Sequence, residues 1–335
     1  MSVVILPSAL KPNVRNSVIS RTILFRLSCA LLSAGLFFPA FSTAATSITV
    51  QPLQSLSFGN VAAGSSKTIL VSDAANAGEY LIVVTPSSKG DYNVELAFGS
   101  PAILTTGRST LTVSFGSNSA AWNTTNSLSG STTFNPSTPY TIQTRFKGSI
   151  TLYVWISGSV SPGPGQQTGN YSGPITLSVT STHTTGGGAG SADLTGSATV
   201  IQGLSLTAYG TLNFGSIIAG TTPSPLSAQT NGAAPLFLAL GAGGYAVAVS
   251  YSQSIPMYDA QHNQITFLPS VFGSGSFFGQ TSSTAVNSGS AVTLSDFFGE
   301  GLYFFWLGGT LDPIPGNQSP GVYSGTFTLT VTYTN

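Results

Sequence analysis

Charge is what this chain lacks most. Only 5% of its 335 residues are Asp, Glu, Lys or Arg, against about a quarter in ordinary globular proteins. Helices with a solvated face draw on Lys, Glu and Arg, so the shortage argues against a helical fold. With a formal net charge of zero there is no electrostatic footprint for nucleic acid. The shortage does not signal disorder either, because 41% of the residues are hydrophobic and disordered chains combine low hydrophobicity with high net charge. Cysteine is nearly absent. The one copy, Cys29, has Arg26 three positions before it instead of the Leu of a lipoprotein signal. Beyond it no disulfide, cysteine ligand or cysteine nucleophile can form. Histidine is limited to His183 and His262, and no Lys or Arg follows Lys147.

What is abundant is Ser, Thr, Gly, Val, Phe and Tyr, the mixture of strand formers and turn residues that predicts an all-β protein. Residues 1–44 read as a secretory signal peptide. Lys11, Arg15, Arg21 and Arg26 precede an apolar stretch, Leu27 to Phe41, and Ser42-Thr43-Ala44 is a small-x-small cleavage site. The apolar run is shorter than the ~20 residues a spanning helix needs, and no other segment reaches that length. The expected mature chain has no transmembrane segment and is secreted or held at the cell surface, by way of a Gram-negative periplasm. Cleavage would leave five basic against nine acidic side chains.

Beyond the leader the chain repeats itself. Leu56-Ser57-Phe58-Gly59 to Gly64 is echoed by Leu212-Asn213-Phe214-Gly215 to Gly220. Tyr92 to Leu96 recurs as Tyr245 to Val249, Tyr153-Val154-Trp155 as Phe304-Phe305-Trp306, and Gly169-Asn170-Tyr171-Ser172-Gly173 as Gly321-Val322-Tyr323-Ser324-Gly325. Four ordered anchors with a slowly drifting offset predict two homologous domains, 45–180 and 197–335. The stretch 181–196, rich in Gly, Ser and Thr, is expected to be a flexible linker. Within each unit the periodicity is two. From Tyr323 to Tyr333 the apolar residues fall on one face and hydroxyls on the other, the pattern of a half-buried antiparallel strand. Tyr171 to Thr180 repeats it. Several short strands at regular spacing predict a two-sheet sandwich in each unit.

These anchors carry a resemblance. The second unit is similar to the bacterial secreted family called domain of unknown function 4402, through Leu212 to Gly220, Gly308-Gly309-Thr310-Leu311, and Pro320-Gly321-Val322-Tyr323-Ser324-Gly325-Thr326 onward. The first unit departs from it at Ser157 to Val160 and at Gly173-Pro174. The same features resemble spore-coat-protein-U-like and fimbrial subunits. The resemblance implies two tandem immunoglobulin-like, pilin-like antiparallel β-sandwiches, exported and used at the surface or in a filament.

Chemistry is thinly represented. The two histidines lie in different units, Asp91 and Glu95 read as solubilising charge, and the glycine runs lack the strand–loop–helix setting of a phosphate loop. No catalytic residue, metal ligand or cofactor is expected, and the chain reads as non-enzymatic. The remaining candidates are contact residues. Phe277-Phe278 and Phe297-Phe298 are adjacent pairs, and neighbours in a strand point opposite ways, so one of each pair is expected to be exposed or covered by a partner. Trp155 and Trp306 are expected in cores. Thr46 to Val50, with Ile48 and Val50 in step, is a candidate strand to be donated to a neighbour, and Ala198 to Ala208 is a second. The expected function is a structural or adhesive fimbria-like subunit whose partners are other surface subunits, joined by strand addition. A secreted carbohydrate-binding module, stacking glycans on the second unit's aromatics, is the alternative.

Overall fold

A computed structural model describes residues 45–184 and 186–334; the leader and its cleavage site lie outside the described residues. Among the described residues regular structure is all-β apart from one 3₁₀ turn, Phe277–Gly279. No helix among the described residues is long and apolar enough to cross a membrane.

The first half builds two sheets. One orders β1 (Ser47–Gln54), β4 (Gly78–Thr85), β11 (Ile150–Ile156), β8 (Ala120–Asn123) and β9 (Thr132–Phe134). The other orders β10 (Tyr140–Phe146), β5 (Gly90–Phe98), β13 (Gly169–Thr182), β6 (Ala102–Thr106), β7 (Ser109–Ser114), β12 (Gly158–Val160) and β3 (Lys67–Ile69). A further strand, β14 (Gly188–Ile201), pairs antiparallel with β13 and parallel with β2 (Leu56–Ala62). Alternation puts Tyr80, Ile82 and Val84 of β4 and Leu177 and Val179 of β13 into one core between the sheets.

The second half repeats the plan with fewer strands. Its larger sheet orders β15 (Ser205–Tyr209), β16 (Leu236–Ala242), β23 (Glu300–Leu311), β19 (Gln264–Ser274) and β18 (Ile255–Tyr258), with β20 (Thr284–Ala285) on β19 and β22 (Ser295–Phe297) on β23. Its smaller sheet is β21 (Ala291–Thr293), β17 (Ala246–Tyr251) and β24 (Leu329–Tyr333). Tyr303, Phe305, Leu307, Val247, Val249 and Leu329 meet in its core. The order β1-β4-β11 corresponds to β15-β16-β23, and the pair β5–β13 to β17–β24.

Several expectations change. The supposed linker 181–196 is mostly strand: β13 runs to Thr182 and β14 starts at Gly188. Its glycines serve close approach. A Cβ on Gly188 or Gly190 would run into the carbonyls of Thr46 or Ile48 in the neighbouring N-terminal strand, so small residues here let two backbones pass. The first half therefore extends to Ile201, and Ala198 to Ala208 is divided between β14 and β15. The proposed donor residues Ile48 and Val50 are engaged in β1, paired with Val84 and Ile82 of β4 and packed on the core. Trp155 and Trp306 are buried, but they alternate with the core residues of β11 and β23 and so lie on the faces turned away from the core, beside Tyr153 and Phe304. His183 stacks on Tyr92 at 4.3 Å between ring centroids.

Candidate strand-accepting groove

The expected strand Tyr323 to Tyr333 forms only in part, although its side chains alternate as in β13. Only Leu329–Tyr333 is strand. The residues before it, 321–328, join a ladder at a single point, where Tyr258 N–H donates to Ser324 O at 2.9 Å and Ser324 N–H donates to Tyr258 O at 3.0 Å. In β13 the equivalent residue, Ser172, pairs with Thr105 of β6 in the same way. Main-chain groups of successive residues in a strand face opposite edges. Tyr323 and Gly325 thus turn theirs away from β18, toward the side that β14 occupies in the first half. No described strand pairs with them there.

The opposite wall is the repeated Leu-x-Phe-Gly segment. In the first half Leu56, Phe58 and Val61 sit in β2, held against β14, and are 0%, 1% and 3% exposed. Their counterparts Leu212, Phe214 and Ile217 belong to no strand and are only half-buried. Tyr323 and Phe327 are half-buried as well, where Tyr171 and Ile175 are closed over. Between the walls run two clefts, the first of mixed lining, with Asn213, Ser216, Gln318 and Ser319 beside its apolar residues, and the second mainly apolar. One, of about 490 Å³, is lined by Ile217, Ile265, Leu311 and Ile314; the other, of about 290 Å³, by Phe237, Ile255, Leu307 and Phe327. Leu212, Phe214 and Met257 lie between them and line both.

Polar contacts fix the rim. Gln318 Nε2 donates to the Tyr323 hydroxyl at 2.7 Å, and that hydroxyl donates to Ser319 O at 2.7 Å. Gln166, Tyr171 and Gln167 make the same pair of bonds in the first half, at 2.8 and 2.7 Å. The signal in sequence is a Gln five residues before each repeated Tyr, outside the repeated motifs themselves. Gly325 must be glycine because a Cβ would meet Pro256 O and Met257 at 2.9 Å. At the groove's end Asp259 accepts the N–H of Gln261 at 2.9 Å, the N–H of Asn263 at 2.8 Å and the side-chain amide of Asn263 at 2.8 Å. Those donors, Asn263 foremost, hold its carboxyl below the usual carboxylate range.

The four phenylalanines lie elsewhere in the second half, on two loops. All are exposed, beyond the expected one of each pair: Phe277 54%, Phe278 91%, Phe297 60% and Phe298 96%.

Among solved structures, the chain is similar to a tip adhesion subunit crystallised with its chaperone from Csu pili of Acinetobacter baumannii, at 12% identity and a TM-score of 0.25, over 84% of this chain and 99% of that one. The CooA pilin subunit from enterotoxigenic Escherichia coli gives 18% identity and a TM-score of 0.25, over 45% and 98% of the two chains. The CupB6 tip adhesin from Pseudomonas aeruginosa gives 10% and 0.27, over 86% and 94%. No curated protein matches the sequence. Residues 204–333, the half that carries the groove, match the family model described as a domain of unknown function, DUF4402.

Proposed function

We propose that this chain is an exported, non-enzymatic, fimbria-like subunit of a bacterial surface structure, and that its second half receives a strand from a partner chain. One observation carries the proposal. The place that β14 fills between β13 and β2 has a counterpart between residues 321–328 and 212–220 where no described strand lies. An extended segment there would pair with main-chain groups now facing outward and would complete the burial of half-exposed apolar side chains, each gaining about half of the ~1.5–3 kcal/mol that burial from full exposure is worth. β14 supplies the template: Leu194, Gly196, Ala198 and Val200 point inward, large residues at the ends and small ones between, with Thr195, Ser197 and Thr199 alternating with them. The partner strand is expected to carry the same alternation.

A synthetic peptide with the sequence of residues 192–201, added to the purified chain, tests this. Saturable binding with a rise of about 5 °C or more in the melting temperature of the second half is expected. A peptide with Asp in place of Leu194 should do neither. Equal behaviour of the two peptides, or no binding, would overturn the proposal.

A further inference from the structure

The exposed phenylalanines make a second surface, independent of the groove. Phe277 and Phe278 sit in the 3₁₀ turn Phe277–Gly279, and Phe297 and Phe298 at the tip of the hairpin between β22 and β23. The two loops adjoin, since a Cβ on Gly275 would collide with the Ser295 hydroxyl. Phe277 rests edge-on against Phe304, which stacks on Trp306, so the inner ring of that loop is anchored. Phe278 and Phe298 stand almost wholly in solvent.

The backbone makes the arrangement more telling. Phe298 has φ 55° and Gly299 φ 89°, the two left-handed positions of a hairpin turn that Asn-Gly or Asp-Gly normally fills. A phenylalanine there accepts strain while its own ring gains only the neighbouring Phe297, at 4.9 Å between centroids. Strain together with exposed apolar area marks a contact surface. The electrostatics narrow the partner. No Lys or Arg follows Lys147, and the hairpin tip is flanked by Asp296, which takes the Gly299 N–H at 2.7 Å, and by Glu300. Such a rim repels anionic lipid and attracts cations, and aromatic faces bind quaternary ammonium groups in particular.

We propose that these four phenylalanines form a docking tip for a lipid bilayer whose headgroups carry choline. The rings enter the interface, and Asp296 and Glu300 face the headgroup ammonium. Co-sedimentation of the full chain with phosphatidylcholine vesicles should show binding, and with phosphatidylglycerol vesicles at least tenfold weaker binding. The double variant Phe278→Ser/Phe298→Ser, whose altered side chains are in solvent, should keep its melting temperature and lose at least tenfold in binding to phosphatidylcholine. Equal or tighter binding to phosphatidylglycerol, undiminished binding by the double variant, or no binding to phosphatidylcholine would each overturn the proposal. The comparison between the two lipids uses the unaltered chain and stands even if the variant misfolds.

Discussion

The two halves share motifs, and the difference that decides the groove is a single strand. Leu56-Ser57-Phe58-Gly59 and Leu212-Asn213-Phe214-Gly215 are near copies, as are Tyr171-Ser172-Gly173 and Tyr323-Ser324-Gly325. In the first half each motif is a paired, closed-over strand segment; in the second neither is. The difference is β14. Alternation fixes which face a side chain takes, but whether the segment becomes strand depends on a partner that is remote in sequence.

Removing apolar bulk should expose this difference most strongly. Leu194→Ala is expected to destabilise the first half by about 2–5 kcal/mol, the range for a truncated core leucine. Leu212→Ala, at a half-buried site, should cost under about 2 kcal/mol; equal losses in denaturant unfolding would break the comparison. Next in size are Tyr171→Phe and Tyr323→Phe, which delete the same hydroxyl from the same Gln-Tyr contact. Each should cost about 0.5–1.5 kcal/mol, and a double-mutant cycle with Gln166→Ala or Gln318→Ala should give matching coupling in the two halves if the rim is equally formed in both. The smallest effect concerns acid. Because the folded-state pKa of Asp259 is depressed, its contribution is fully present above the unfolded value near 3.9 and is lost as pH falls through the folded value. Melting of the second half should therefore fall off more steeply below about pH 4 in the parent than in Asp259→Asn.

Much of the architecture was legible in sequence, because the repeat and the alternation are local. The inward residues Leu177, Val179, Leu329 and Val331 follow from period two alone. β14 was legible only from Ala198 onward: its earlier glycines, serines and alanines have a linker's composition, and they are strand residues because they pair with β13 along their length, glycine being needed at 188 and 190 where the Thr46 and Ile48 carbonyls pass close. For the same reason the groove was hidden. Leu212, Phe214 and Ile217 identify a repeat, but nothing in their order says that one copy is covered and the other is not. The exposed phenylalanines were half legible: adjacency predicted that one of each pair would face out, while the turn backbone, which turns out all four, was not visible.

The parallel ladder of β2 on β14 joins Leu56 to Gly196, some 140 residues further along the chain. Such a long-range closure is entropically slow. A polypeptide emerging N-terminus first cannot complete its leading sandwich until Ile201 has followed. Up to that moment the leading half exposes the same apolar seam that the trailing half keeps once folded, so each half passes through or retains a sticky edge.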